Sequence, residues 1–253
     1  MPLWKNLQHI FNNDNAAGGA SHFLTVDLHS HLIPGVDDGV ADMETAIAVI
    51  KEIASSGVKK IITTPHIYPE FYNNTEEDIL LRLKELQKQV QEEGLEVEIE
   101  AAAEYFLDDV FVARIENEEP LLTFGNKMVL VETNYITSHP KLKECFFSLK
   151  LQGYKPVFAH PERYLYLFQP PKHRTLIELF DFGVLFQVNL LSFVGHYGPQ
   201  IKELALYLHK NNMIHLLGSD IHKIEHARMV NRFKQSKLFE NICNGSIINN
   251  DLL

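Results

Sequence analysis

Short apolar runs alternate along the chain with longer segments whose apolar residues recur at helical spacing. The opening run contains Leu24, Val26 and Leu28, and residues 42–56 then carry apolar residues three and four positions apart, which predicts an amphipathic helix. The same alternation continues toward the C-terminus. The further predicted strands cover residues 59–64, 96–103, 128–131, 155–159, 184–188 and 214–217, and the further helices cover 74–93, 108–118, 140–151, 172–182 and 199–211.

This alternation predicts an α/β fold. Continuous apolar strands that alternate with helices are typical of a parallel sheet buried on both faces. Seven such units favour a distorted (β/α)7 barrel, similar to the eight-fold TIM barrel, and a doubly wound open sheet is the alternative. A chain of 253 residues is long enough for one such domain. We expect a single domain over residues 22–253 and a short exposed extension over residues 1–21.

Composition argues against several classes of protein. The formal net charge of −10 disfavours nucleic-acid binding, which needs clustered lysine and arginine. No apolar run approaches the roughly 18 residues that span a bilayer, and residues 1–21 lack the apolar stretch of a secretory signal. The two cysteines are too few for a disulfide framework, and neither begins the Cys-x5-Arg loop of thiol phosphatases. We expect a cytoplasmic protein without membrane insertion.

Residues that can bind metals stand at the carboxyl ends of six of the seven predicted strands. They are His29 and His31, His66, Glu104, Glu132, His160, and Asp220 with His222. In α/β barrels these strand ends meet at one face, where active sites form. The alternative is a set of solvated strand ends, but clustered carboxylates are costly without a cation. We therefore predict a metal centre, with the other eight of the 13 histidines, His226 among them, outside it.

The types and number of these ligands indicate catalytic ions. Imidazole and carboxylate without thiolate suit zinc, manganese or iron. Eight candidate ligands exceed the needs of one ion, so we expect two or three divalent metal ions with Glu104 as a bridging carboxylate. Closely spaced divalent ions favour phosphate ester hydrolysis, because they lower the pKa of a bridging water and bind the substrate oxygens.

The motifs around these residues resemble the PHP (polymerase and histidinol phosphatase) family. Within it, they are similar to the manganese-dependent protein-tyrosine phosphatases of bacterial capsule and exopolysaccharide operons. The matching segments are DLHSH at 27–31, VDDG at 36–39, TPH at 64–66, AE at 103–104, VE at 131–132, AHPERY at 159–164, QVN at 187–189 and SDIH at 219–222. The resemblance extends from Phe23 to near the C-terminus.

The resemblance implies three metal positions, with manganese as the first choice of metal and iron or zinc as alternatives. The first position uses His29, His31, Glu104 and Asp220, the second Glu104, Glu132 and His160, and the third Asp38, His66 and His222. Asp37 is adjacent to Asp38 and is an alternative ligand at the third position.

The resemblance also implies two arginines in the site. Arg163 matches the family arginine beside the metals, where a guanidinium can bind two phosphoryl oxygens, and the alternative is a surface ion pair with Glu162. Arg228 is the second candidate, although the Arg-Pro pair expected near it is missing. The segment after His66 also lacks the basic residues of close relatives.

Aromatic residues near these motifs have two interpretations. They are Tyr68, Phe71, Tyr72, Tyr164 and Tyr166. They are candidates for a rim that accepts a phosphotyrosine ring, and local packing within loops is the alternative.

These features predict a metal-dependent phosphomonoesterase. We expect it to act on phosphotyrosine in a protein, namely a bacterial tyrosine kinase that regulates capsule or exopolysaccharide synthesis. A metal-bound hydroxide is expected to attack phosphorus without a covalent enzyme intermediate. The alternatives are a phosphatase for histidinol phosphate or another small molecule, and a metal-binding module that docks a kinase tail without turnover. A PHP nuclease is disfavoured by the acidic charge, and the sequence is compatible with a monomer or an oligomer.

Overall fold

The structure is a computed structural model that describes residues 24–168 and 173–253, so the predicted extension at residues 1–21 lies outside the described residues. The strands are β1 Val26–Ser30, β2 Lys60–Thr63, β3 His66–Ile67, β4 Glu98–Ala101, β5 Glu104–Phe106, β6 Met128–Glu132, β7 Lys155–Ala159, β8 Leu185–Asn189 and β9 Leu216–Ile221. The helices are α1 Met43–Ala54, α2 Glu76–Glu92, α3 Asp109–Glu116, α4 Leu142–Leu151, α5 Arg174–Asp181, α6 Leu190–Phe193, α7 Pro199–Lys210, α8 Ile224–Phe233 and α9 Lys237–Cys243.

All the strand pairs are parallel, and the sheet closes on itself. Its order is β3-β5-β6-β7-β8-β9-β1-β2-β4. Two residues separate β2 from β3, and two separate β4 from β5. Each of these pairs is therefore one interrupted strand, which we call a strand path, so the strands β3 and β4 at the two ends of the order belong to neighbouring paths. Hydrogen bonds continue across the gaps, from Ala102 N to Thr63 O at 2.9 Å and from Glu104 N to Pro65 O at 3.1 Å. The nine strands therefore form seven paths, and the predicted barrel-like fold is confirmed.

Proline explains the interruption between β2 and β3. Pro65 follows Thr64 directly after β2, and it has no N–H to donate to a neighbouring strand. The chain resumes pairing at His66, which stands opposite Glu104 in the register of β3 with β5. The division therefore sets two of the predicted metal ligands side by side.

Apolar residues pack in two layers. One cluster fills the barrel interior and includes Val26, Leu28, Ile62, Leu130 and Leu216. The other lies between the sheet and the surrounding helices, where α1 alone buries five apolar side chains. Neighbouring residues such as Ile61 and Ile62 belong to different clusters because strand side chains alternate between faces.

Several elements were absent from the sequence prediction. The short helix α6 follows β8 directly, and α9 begins where Ser236 accepts a hydrogen bond from Phe239 N at 3.2 Å. In the described part of the chain, three 3₁₀ helices also form, at Pro161–Arg163, Leu165–Phe168 and Asn249–Leu252. These short segments lack the long apolar period that identifies a helix in sequence. Among the described residues, no helix has the length and hydropathy required to cross a membrane.

The C-terminal 3₁₀ helix closes the amino end of the barrel. Leu252 packs in the interior cluster with Phe124 and Met128. Asn249 is fully buried, and its Oδ1 accepts a hydrogen bond from Leu217 N at 2.8 Å. Its Nδ2 donates to Leu217 O at 2.8 Å and to Val26 O at 3.3 Å. One side chain therefore joins the starts of β1 and β9.

The variant Asn249→Ala is expected to destabilise the barrel, because it leaves buried backbone groups of β1 and β9 without partners. We expect a loss of about 2–3 kcal/mol in the free energy of unfolding, measured by urea denaturation. Asn211→Ala removes an exposed side-chain bond at the end of α7 and is the matched control, with an expected loss below about 1 kcal/mol. Equal losses in the two variants would contradict the role given to Asn249.

Candidate metal centre

The strand β1 reaches the metal centre through a bulge. His29 has a φ of 69°, and the pairing of β1 with β9 shifts register between Leu28 and Ser30. On the neighbouring strand Asp220 has a φ of 50°. The rings of His29 and His31 do converge, with centroids 5.5 Å apart. The two rings therefore converge where the backbone of both strands is irregular. A regular strand, in which side chains simply alternate between faces, does not describe this geometry.

The nine predicted ligands lie together at the carboxyl end of the barrel. Their ligand atoms fall into four overlapping groups, and the atoms within each group lie within 4.8 Å of one another. The groups are His31, Asp38, His66 and His222; His29, His31 and Asp220; His29, Glu104 and His160; and His66, Glu104 and Glu132. The grouping differs in detail from the three implied positions, because His66 also joins the two glutamates.

Glu104 lies at the centre of the cluster. Its Oε2 is 3.1 Å from His29 Nε2, 3.5 Å from His31 Nε2 and 3.3 Å from His66 Nδ1. Its Oε1 lies 3.0 Å from His160 Nε2. The two oxygens of one carboxylate thus face different sets of imidazoles, as a bridging ligand requires.

Hydrogen bonds orient the imidazoles. His29 Nδ1 lies 2.8 Å from Gln187 Oε1, and His31 Nδ1 lies 2.7 Å from Asp37 Oδ2. His222 Nδ1 lies 3.0 Å from the backbone oxygen of Asp220. Because these oxygens accept from Nδ1–H, Nε2 of each ring is left to face the cluster.

Residues from the seventh strand end, β8, support the ligands instead of joining them. Gln187 Nε2 donates to Asn189 Oδ1 at 2.8 Å, and Asn189 Nδ2 donates to Asp220 Oδ2 at 2.7 Å. These two amides therefore connect His29 to Asp220 through a chain of hydrogen bonds. The sequence analysis noted the QVN motif, but nothing in the sequence indicated that its two amides support the predicted ligands.

The adjacent residues Asp37 and Asp38 have different surroundings. Asp37 Oδ2 accepts hydrogen bonds from His31 and from His66 N, and its Oδ1 accepts from Gly39 N at 3.0 Å. Asp38 Oδ1 instead lies 3.5 Å from His66 Nε2 and 3.4 Å from His222 Nε2. The geometry favours Asp38 as the ligand, with Asp37 as the residue that orients His31.

The carboxylates strongly favour positive charge on the imidazoles. Burial opposes protonation of His31, but Asp37 and Glu104 outweigh it and raise its pKa to about 10. The pKa values of His29 and His66 are also raised despite burial, mainly by Glu104 with Asp220 or Glu132. Such a cluster holds protons unless another cation replaces them.

Two ring nitrogens also fit a cation. His31 Nε2 and His66 Nδ1 are buried and have no hydrogen-bond partner among the described residues. Carboxylate oxygens nevertheless lie 3.5 Å from the first and 3.0 Å from the second. Donor atoms that converge on one another without bonding are suited to a shared ion, so the residues present fit a divalent metal.

Arg163 is held between two aromatic rings. Its guanidinium carbon lies 4.7 Å from the centroid of the Tyr135 ring and 4.4 Å from that of Tyr197. Its Nη1 donates to Asp220 Oδ2 at 2.8 Å. The alternative ion pair with Glu162 does not form, because buried Glu162 accepts from Asn189 N and Ser192 Oγ. Two ring contacts and one ion pair therefore hold the guanidinium, whose side chain is 21% exposed.

A cavity of about 430 Å³ opens over the cluster. The cavity is lined by several of the predicted site residues and also by Gly39, Tyr135, Tyr197, Lys223 and His226. Arg228 is exposed on α8 and is not among the lining residues. Tyr135, Tyr197 and His226 were missed because they come from loops and a helix whose position in space depends on the closed barrel.

The aromatic candidates divide between rim and core. Tyr164 is fully buried, and its hydroxyl accepts a hydrogen bond from Thr133 N at 3.1 Å. Tyr166 Oη lies 2.8 Å from Thr133 Oγ1. These two tyrosines therefore belong to local packing, whereas the segment from Tyr68 to Tyr72 borders the cluster through the ring of His66.

Known proteins are similar to this chain in sequence and in fold. The model of the capsular polysaccharide synthesis CpsB/CapC family matches residues 25–237. CapC of Staphylococcus aureus is 31% identical over 201 residues, which cover 79% of this chain and 77% of that protein. The tyrosine-protein phosphatase YwqE of Bacillus subtilis is 28% identical over 200 residues, which cover 79% and 78% of the two chains.

A solved structure extends this comparison. It comes from crystal structures of YwqE from Bacillus subtilis and CpsB from Streptococcus pneumoniae, described as metal-dependent tyrosine phosphatases, and it aligns with a TM-score of 0.71 and 27% identity. The alignment covers 84% of this chain and 89% of the other. The predicted resemblance is thus confirmed, and the chain belongs to the CpsB/CapC family of capsular polysaccharide synthesis.

Proposed function

We propose that this chain is a metal-dependent phosphatase that hydrolyses phosphotyrosine in proteins. The observation that carries the proposal is the set of four overlapping ligand groups beside Arg163 in one cavity. The names of YwqE and CpsB as tyrosine phosphatases support the same activity. The nine residues of the cluster would hold two or three divalent ions, with manganese preferred, and the physiological substrate would be a tyrosine kinase of capsule or exopolysaccharide synthesis.

The chemistry needs both the metals and the residues around them. Divalent ions held by the cluster would supply Lewis acidity toward phosphoryl oxygens and lower the pKa of bound water. Arg163 would bind phosphoryl oxygens through the N–H groups that Asp220 leaves open, and its fixed charge would stabilise the transition state. Gln187, Asn189 and Asp37 would keep the ligands in orientation throughout the reaction.

Cysteine chemistry is disfavoured by position. Cys145 is buried in α4, where burial raises the pKa of its thiol to about 12. Burial likewise raises the pKa of Cys243 to about 12. Neither lines the cavity, so we propose direct transfer of the phosphoryl group to water. The phenolate of tyrosine, with a pKa of about 10, leaves with less need of a proton than an alkoxide does.

Removal of divalent ions is expected to abolish activity. Treatment with a chelator should reduce hydrolysis of a phosphotyrosine peptide by at least about 100-fold, and added manganese should restore it. Histidinol phosphate, tested in parallel, should be hydrolysed more slowly than the peptide. Activity that survives with no metal detectable by elemental analysis would contradict the metal mechanism, and faster turnover of histidinol phosphate would favour the small-molecule alternative.

Replacement of Arg163 separates metal binding from turnover. Arg163→Ala should lower kcat/KM by about 100-fold with metal content retained, and Arg163→Lys should recover only part of the loss, because lysine lacks the planar fork. Arg82→Ala, at an exposed position on α2, is the matched control and should leave turnover unchanged. Full activity in Arg163→Ala would remove this arginine from the mechanism.

The rings of Tyr135 and Tyr197 are expected to position the guanidinium. Replacing either tyrosine by leucine should lower kcat/KM by about three- to thirtyfold, whereas phenylalanine keeps the ring face and should stay within about twofold. Tyr154→Leu, in a tyrosine outside the cavity lining, controls for general loss of packing. Equal losses in the phenylalanine and leucine variants would show that the hydroxyl groups matter and the ring faces do not.

A further inference from the structure

A turn of aromatic residues stands beside the cavity and has no role in the proposed chemistry. This aromatic turn, residues 68–72, follows β3 and closes on itself through backbone hydrogen bonds. Tyr72 N donates to Tyr68 O at 2.7 Å, and Phe71 N donates to the same oxygen at 2.9 Å. The backbone of the turn is therefore held in one arrangement.

The aromatic turn is attached directly to the metal centre. The ring of Tyr72 stacks on the imidazole of His66, with centroids 5.3 Å apart and an interplanar angle of 12°. Asn74, just beyond the turn, donates from Nδ2 to His66 O and to Val36 O, both at 2.9 Å. A substrate with its phosphoryl group at the cluster would therefore have its neighbouring residues close to this turn.

The turn presents ring faces to solvent. Phe71 is 67% exposed, although its ring centroid lies only 4.9 Å from that of Tyr68. The ring of Tyr68 is supported from behind by Phe106, stacked at 3.9 Å. Exposed aromatic faces attract cations as well as apolar groups.

Two carboxylates without ion-pair partners in the described part of the chain lie on or close to the turn, namely Glu70 within it and Asp108 at the start of α3. Tyr68 Oη donates to Glu70 Oε2 at 3.4 Å, and Asp108 accepts from Phe111 N at the start of α3. Within residues 24–168 and 173–253, neither Glu70 nor Asp108 forms an ion pair. Both carboxylates are close enough to Tyr68 to add to the effect of burial in raising its pKa. Aromatic faces beside unpaired carboxylates favour a guanidinium or an ammonium group.

We infer that the aromatic turn selects protein substrates that carry lysine or arginine beside the phosphotyrosine. The cation would lie against Phe71 and Tyr68, with its charge toward Glu70 and Asp108. Acidic neighbours of the phosphotyrosine would be repelled by these carboxylates and by the net charge of −10. The inference rests on the proposed function, and it identifies the class of peptide that the same site prefers.

The test compares four substrates with manganese-loaded enzyme. Three are phosphotyrosine peptides of equal length with lysine, serine or glutamate beside the phosphotyrosine, and the fourth is p-nitrophenyl phosphate, which has no flanking residues. The lysine peptide should exceed the serine peptide in kcat/KM by about three- to tenfold, and the glutamate peptide should be the poorest. The preference should shrink at high salt because exposed charges are screened.

Variants assign the preference to the turn. Glu70→Lys should abolish or reverse it, and Phe71→Ala should lower kcat/KM for the lysine peptide by about threefold, while both hydrolyse p-nitrophenyl phosphate as the wild type does. The matched controls are Glu240→Lys on α9 and Phe147→Ala, an exposed phenylalanine on α4, which should keep the preference.

Two results would overturn the inference alone. One is equal turnover of the three peptides by the wild-type enzyme, and the other is an equal change of preference in Glu70→Lys and Glu240→Lys. Absence of turnover on all four substrates, with metal bound, would overturn the proposed function together with the inference.

Discussion

The structure depends on the burial of carboxylates at one end of the barrel. Glu104, Glu132 and Asp220 are each less than 5% exposed, and imidazoles together with Arg163 oppose their charge. Such an arrangement is costly in a protein interior unless cations compensate it. The strand ends bring these carboxylates together. An amide of β8 and the guanidinium of Arg163 then hold Asp220 in place.

The closed barrel explains why residues from distant parts of the chain reach this point. The carboxyl ends of the parallel strands meet at one end of the barrel, so one or two residues from each of six strand paths are enough to assemble most of the cluster. The amides of β8 then connect ligands from β1 and β9. Most of the predicted metal ligands lie at strand ends, whereas Tyr135, Tyr197 and the nearby aromatic turn belong to loops. These loop residues can therefore change without disturbing the predicted ligands.

Much of this arrangement follows from the sequence. The strand period predicted the barrel, and His, Glu or Asp at six of the seven strand ends gave eight of the nine residues that the structure brings together. The ninth, Asp38, came from the family resemblance. The division of strands at Pro65 and the bulge at His29 were not predictable, because they depend on pairing between strands distant in sequence. Tyr135 and Tyr197 have no motif, and only the folded chain shows that they enclose Arg163.

The backbone at the metal centre restricts the chemistry that this position can accept. His29, His160 and Asp220 all have positive φ, a conformation that histidine, aspartate and asparagine adopt more readily than most other residues. Coordination and backbone geometry therefore select the same few residue types. A cysteine or glutamate there would offer a metal ligand but would be less suited to the left-handed conformation. Substitution at these three positions is thus limited by the main chain as well as by their predicted role as metal ligands.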